Sequence, residues 1–276
     1  MADSRVLSPA RLTDQFGRAI TYLRISVTDR CNLRCYYCMG ERTRFLGREQ
    51  LLTPEEIVGV AQAAVTMGIT KMRLTGGEPL RRRDITELVR ALSQIEGIED
   101  LALTTNGTLL VEHAQALADA GLDRVNVSLD TVDPARFLDL TGGGDVRQVL
   151  RGIEAALKAG LTPVKINCVV GERHTAEDLR SVQAFGRRRG LEVRPIQRID
   201  LAAGVFSHVK GSGGGDCGNC NRLRLSSDGA IRPCLLSDLS FSVRQLGGAE
   251  AIRRAVAEKH ERGRPCTHDW MHGIGG

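Results

Sequence analysis

Three cysteines fall within eight residues of one another, Cys31, Cys35 and Cys38, inside the stretch Thr28 to Gly40. A hydrophobic core has no use for thiols so closely spaced. One short loop carrying C-x3-C-x2-C can instead give each thiolate to a different iron of a cubane. Three ligands leave the fourth iron open to a small molecule. Two alternatives stand beside a [4Fe-4S] cluster: a zinc site, which takes four ligands in its structural form, and a disulfide-linked loop, which belongs to oxidising compartments. A second triad, Cys217, Cys220 and Cys234, follows in the pattern C-x2-C-x13-C. It reads as a second cluster with an open iron, or as a zinc knuckle whose fourth ligand would come from Cys266, His268 or His272.

Cations form another pattern. Lys71 and Arg73 stand two apart in a strand-like run and so share a face. Arg24, Lys165 and Arg194 occupy comparable runs, and Arg222 and Arg224 flank Leu223 directly after Cys220. Turned outward, these side chains would be solvated. Turned inward, they would demand an anion, because an unpaired buried charge is costly. A polyphosphate meets that demand, with arginine forks and a lysine point charge on its oxygens.

The elements that would position these groups are legible from periodicity. Alternation predicts strands at Thr21 to Val27, Lys71 to Thr75, Leu101 to Thr105, Arg124 to Leu129, Pro163 to Val170 and Leu191 to Ile199. Helices are predicted from Thr53 to about Gly68, Asp84 to Ile95, Leu109 to Ala120, Val146 to Ala159 and Thr175 to Arg189. Thr53, Pro54 and Glu56 have the spacing of a capping box with proline at the first helical position. Six βα units make an α/β fold, a partial (β/α)6 TIM-type barrel with a small C-terminal iron–sulfur cluster region. The Gly-rich run Asp200 to Asp216 divides residues 1–200 from 201–276, and Ser227-Asp228-Gly229 predicts a hairpin turn. In such barrels the loops after the strands build the site. There stand Gly76-Gly77-Glu78-Pro79, where glycines would let backbone approach a ligand, Thr104 to Gly107, and Ser128 to Asp130.

Of 276 residues, 38 are basic and 33 acidic, a net charge of +5. This mild excess suits a phosphorylated small molecule and does not single out nucleic acid. The first thirty residues lack an apolar leader core, and no run approaches the roughly 18 apolar residues of a membrane span. The expectation is a cytoplasmic protein without membrane association. Cys168 is expected to be a buried structural thiol. Arg81 to Arg83 and Arg187 to Arg189 are expected to be solvated, Arg232 to tolerate replacement, and His113 and His174 to carry no function.

Taken together, LRISVTDRCNLRCYYC, KMRLTGGEPL, LTTNG, VNVSLD, VKIN, CGNCNRLRLSSDG and the tail Gly275-Gly276 resemble the GTP 3′,8-cyclases of molybdenum cofactor biosynthesis. These are enzymes of the radical S-adenosylmethionine (SAM) superfamily. The resemblance runs from Thr13 to Ile199 and resumes at Cys217. It implies two [4Fe-4S] clusters and SAM, with Cys31, Cys35 and Cys38 holding the cluster that cleaves SAM to a 5′-deoxyadenosyl radical. Cys217, Cys220 and Cys234 would hold a second cluster whose open iron binds guanine. It also implies SAM contacts from Tyr37, Gly76, Gly77, Glu78 and Ser128, and GTP contacts from Arg24, Arg73, Thr104, Lys165, Arg222, Leu223 and Arg224, with Lys71 and Arg194 joining the phosphate set.

The implied partners are GTP, an electron donor such as flavodoxin or ferredoxin, and a downstream cyclic pyranopterin monophosphate synthase. A homodimer is compatible with all of this. The chain departs from the family where Asp200 to Asp216 stands in place of a longer stretch, and where Gln197 and Ile199 replace an acid and a methionine. A related enzyme acting on another nucleotide, or on a peptide, is the alternative.

Overall fold

The computed structural model describes residues 12–39, 43–210, 214–267 and 273–274. Six parallel strands run in chain order: β1 (Tyr22–Ser26), β2 (Lys71–Thr75), β3 (Asp100–Thr105), β4 (Arg124–Ser128), β5 (Lys165–Val170) and β6 (Glu192–Gln197). Between them lie α1 (Pro54–Thr66), α2 (Ile85–Ser93), α3 (Leu110–Asp119), α4 (Pro134–Thr141), α5 (Val146–Lys158) and α6 (Ala176–Arg189). Each strand expected from periodicity is present, with ends within two residues of the expected ones. The capping box of α1 forms as its spacing implies: Glu56 N donates to Thr53 Oγ1 at 3.2 Å and Thr53 N donates to Glu56 Oε2 at 2.8 Å.

Helix α4 went unread because eight residues are too few to show a period. Its start was nonetheless written in the sequence. Asp133 accepts from Arg136 N at 2.8 Å, with Pro134 in the first turn.

The chain past the barrel does not build a separate sheet. β7 (Arg222–Leu225) pairs parallel with β1, and β8 (Ala230–Arg232) and β9 (Phe241–Ser242) follow antiparallel, giving the order β6-β5-β4-β3-β2-β1-β7-β8-β9. The hairpin between β7 and β8 turns at Gly229, whose φ of 87° favours glycine. Helices α7 (Val243–Leu246) and α8 (Gly248–Ala257) close the chain, and α8 packs against α1.

Strand parity sorts the sheet into two faces. Leu23, Ile25, Met72, Leu74, Leu103, Val125 and Ile166 are buried against the helices, with Cys168 among them as a core thiol. Residues of the opposite parity turn inward and leave a cavity. Among the described residues, no helix is long and apolar enough to cross a membrane.

Candidate active site

The inward parity of adjacent strands sets cations side by side. In-register pairing aligns Arg224 of β7, Arg24 of β1 and Arg73 of β2 in one row, and Arg222, Tyr22, Lys71 and Asp100 in the next. All of them line a cavity of about 600 Å³, together with Thr104, Asn126, Ser128, Asn167 and Arg194. Among the described lining residues Asp100 is the one acid. It is already taken by Arg124, at 2.6 Å.

Crowding has electrostatic consequences. Burial, then the neighbouring Arg224, Arg73 and Arg222 charges, pull Arg24 down to about 9 against the attraction of Tyr22. Burial and Arg222 likewise bring Arg224 down to about 10, although the Cys234 and Cys220 thiols pull the other way. Burial works to raise the Tyr22 phenol, yet the surrounding arginines carry it below its ordinary value. The Arg73 and Arg222 guanidiniums lie 5.7 and 5.5 Å from the Tyr22 ring centroid, a cation–π arrangement. The Nε atoms of both are buried without a hydrogen-bond partner. Such a wall is relieved by a polyanion.

The first cysteine loop rims the same cavity. Cys31, Cys35 and Cys38 line it with Tyr37, Gly76 and Gly77. Its thiols sit in surroundings that resist charge. Burial pushes Cys38 up to about 12, and burial with the nearby Cys38 and Asp130 pushes Cys35 higher still. The loop is braced from several elements. Tyr37 Oη donates to Asp130 at 2.8 Å, Val169 N donates to the same carboxylate at 2.8 Å, and Asn106 Nδ2 reaches Cys31 Sγ at 3.7 Å.

Gly76 and Gly77 serve the loop in a way the sequence reading did not foresee. A Cβ at Gly77 would lie 2.5 Å from Arg30 O, and one at Gly76 would lie 2.4 Å from Thr28 O. Backbone-to-backbone packing of the two loops therefore requires both glycines, with Gly77 N donating to Thr28 O at 2.8 Å.

The residues present fit two iron–sulfur clusters. In each triad a ligand-type sulfur accepts a backbone N–H from two residues further on: Leu33 N to Cys31 Sγ and Leu236 N to Cys234 Sγ, both 3.4 Å. Hydrogen bonds to the sulfurs are among the means by which proteins tune such clusters. Among the described residues no three His, Cys, Asp or Glu side chains converge on a single ion.

The matching family model is that of the radical SAM superfamily, over residues 25–185. GTP 3′,8-cyclase of Bradyrhizobium diazoefficiens is 39% identical, the match covering 98% of this chain and 93% of that protein. The chain belongs to the GTP 3′,8-cyclase family of the radical SAM superfamily. The enzyme of Listeria monocytogenes is 38% identical over 94% of this chain and 92% of its own length. Both alignments, at 326 and 306 positions, are longer than this chain, so these cyclases carry residues that it lacks. Among solved structures, native anSMEcpe with bound AdoMet and Kp18Cys peptide superposes with a TM-score of 0.62 at 18% identity, over 87% of this chain and 81% of that one. Streptococcus suis SuiB bound to precursor peptide SuiA gives 0.56 at 20%, over 66% of this chain and 40% of that one. These two show the fold.

Of the residues the family's site implies, most line the described cavity and six do not. Lys165 Nζ is 2.9 Å from Glu192 Oε2 and is not on the described cavity wall. Leu223 is buried in the core. Glu78 is fully buried, accepting from Leu80 N, Thr105 Oγ1 and Asn106 N. Burial pushes its carboxyl up to about 7 against those hydrogen bonds. Cys217, Cys220 and Cys234 lie off the described lining, while their neighbours Asn219, Asn221, Arg222 and Arg224 form part of it.

Other expectations change. Arg232 is buried opposite Arg224 on the hairpin, so its replacement is not innocuous. Arg82 is not solvated: it binds Asp84 at 2.6 Å and donates to Val27 O and Leu52 O. Arg189 at the end of α6 pairs with Glu154. His174 has partners, Tyr36 Oη at 3.1 Å and Asp130 Oδ2 at 3.6 Å. Cys266 Sγ meets Leu201 O at 3.3 Å, while His268, His272, Gly275 and Gly276 lie outside the described residues. Tyr22, Asn126 and Asn167 were missed, although they share strand parity with Arg24, Ser128 and Lys165. From the shortened segment, Phe206 and Val209 supply apolar wall.

Proposed function

We propose that this chain converts GTP to (8S)-3′,8-cyclo-7,8-dihydroguanosine 5′-triphosphate in molybdenum cofactor biosynthesis, as a lyase using SAM and two [4Fe-4S] clusters. The observation that carries the reading is the cationic cavity rimmed by the first cysteine triad and walled by close neighbours of the second, in a chain of this family: eight cations line it and one paired acid. Cys31, Cys35 and Cys38 hold the cluster that binds SAM, beside Tyr37, Gly76, Gly77 and Ser128. Cys217, Cys220 and Cys234 hold the other. When bound, the first cluster and SAM supply the one-electron chemistry that takes a hydrogen atom from the substrate ribose. Arg24, Lys71, Arg73, Arg194, Arg222 and Arg224 bind the triphosphate. Thr104 and Asn126 present polar atoms to the nucleoside.

In this reading residues 1–200 make the radical SAM partial barrel, which also carries most of the substrate contacts, and 201–276 the auxiliary-cluster region. The protein works in the cytoplasm, takes electrons from a flavodoxin or ferredoxin, and passes its product to a cyclic pyranopterin monophosphate synthase. It is active as a monomer or a homodimer. The test is anaerobic incubation with SAM, reductant and each of GTP, ATP, UTP and a peptide pool, measuring 5′-deoxyadenosine. Stimulation by GTP alone, with a cyclised product, is expected. Stimulation by ATP, UTP or peptide instead moves the assignment to that substrate.

A further inference from the structure

Among the described residues Lys259 is the largest side chain buried to within 1% of its surface, and it stands two residues past the end of α8. Its ammonium donates to Arg222 O at 2.9 Å and to Pro233 O. Those carbonyls sit two residues past Cys220 and immediately before Cys234. Its charge also stands beside the Cys220 thiol. A second buried cation completes the pattern from the other end of the chain. Arg18, paired with Asp14 at 2.6 Å, donates to Cys217 O at 2.7 Å. The same guanidinium donates to His260 O and Glu261 O at 2.7 and 2.8 Å, the two residues after Lys259. All three cysteine-bearing segments are thus tied to one short stretch, residues 259–261, that is remote from each of them in sequence.

Burial of an ammonium is expensive unless it is compensated. Two carbonyls take two of its three hydrogen bonds but carry no charge. Thiolates do, once they hold a metal.

We propose that Lys259, with Arg18 as its brace, is a positioning residue for the C-terminal iron–sulfur cluster: it fixes the ligand-bearing segments and supplies the positive charge that balances their thiolates. The inference rests on the assignment of Cys217, Cys220 and Cys234 as ligands. Charge and hydrogen bonding around the sulfurs are what set a cluster's potential, and partners behind the ligands govern how firmly a metal is kept. Removing the charge therefore lowers the C-terminal cluster's midpoint potential, because the more negative reduced form loses its counter-charge. Removing the hydrogen bonds loosens the cluster. The N-terminal cluster, in the same molecule, serves as the internal control.

The test uses the anaerobically reconstituted full chain carrying Lys259→Met, Lys259→Gln or Lys259→Arg. Iron release to a chelator and EPR-monitored redox titration are followed for both clusters. The parent is expected to hold about eight irons, four per cubane. Lys259→Met should release four of them at least about tenfold faster than the parent, in line with the usual cost of losing a group behind a metal ligand. Lys259→Gln, which keeps donors without charge, should retain iron better but show the lowered potential. Lys259→Arg should restore the parental potential. SAM cleavage in the absence of substrate, which needs only the N-terminal cluster, confirms folding of each variant. Parental release rates and potentials in both uncharged variants would overturn the inference alone. A parent holding only four irons would overturn the ligand assignment and the inference with it.

Discussion

The two cysteine triads present the same donor chemistry in opposite electrostatic settings. Around Cys31, Cys35 and Cys38 burial above all pushes every thiol upward, with Glu78 adding to it at Cys31, the Cys38 thiol and Asp130 at Cys35, and the Cys31 thiol at Cys38. Around Cys220, burial works in the same direction. There Lys259, the Arg222 backbone N–H and the Arg222 charge carry the thiol below its ordinary value. The difference matches the small molecules each end would meet. In the proposed function the cationic wall suits a triphosphate, and the first triad, where burial resists charge, the other ligand.

Removing one triad at a time should break the symmetry most sharply. Replacing Cys31, Cys35 and Cys38 with alanine is expected to abolish 5′-deoxyadenosine formation altogether. Replacing Cys217, Cys220 and Cys234 should leave slow cleavage of SAM that GTP no longer stimulates, with iron reduced to about four per chain. Iron assay and product chromatography report both. Next in size, Arg222→Ala and Arg73→Ala each remove a charge-assisted hydrogen bond of about 1.5–3 kcal/mol. That corresponds to roughly ten- to hundredfold in GTP affinity, measured by equilibrium binding. Iron content should not change, and SAM affinity should move little.

How far the sequence disclosed this site depended on how local each part is. The first triad, its strand and the capping box of α1 lie within short windows, and their spacing alone determines them. The row Arg224, Arg24 and Arg73 was half legible. Parity put each side chain on a face, but only the parallel pairing of β7 with β1 sets Arg224 beside Arg24. The support of the second triad was not legible, because Arg18 and Lys259 reach it across about 200 and 40 residues of chain. Gly76 and Gly77 were legible as a close approach toward the cavity, but their backbone contact with Thr28 and Arg30 was not, since a sequence does not reveal which backbone lies opposite.

Two smaller effects sharpen the acidic side of the comparison. Asp130→Asn should cost about 1–3 kcal/mol in chemical denaturation, as a buried acceptor for Tyr37 Oη and Val169 N is weakened, and should speed iron loss from the N-terminal cluster only. Glu78 offers a pH test. Its folded carboxyl lies near 7 and its unfolded one near 4.5. The folded state therefore holds the proton more tightly. The stability from protonated Glu78 is full below about 4.5 and is lost as pH rises through about 7. Glu78→Gln should flatten the stability profile between those values in thermal unfolding at a series of pH values. An unchanged slope would place the shift elsewhere.

The division of labour between the triads is tested most directly by EPR of the dithionite-reduced parent enzyme, recorded alone, with SAM and with GTP. The account predicts two cluster signals, one altered by SAM and not by GTP, the other altered by GTP and not by SAM. A single signal, or one signal that responds to both molecules, would contradict it.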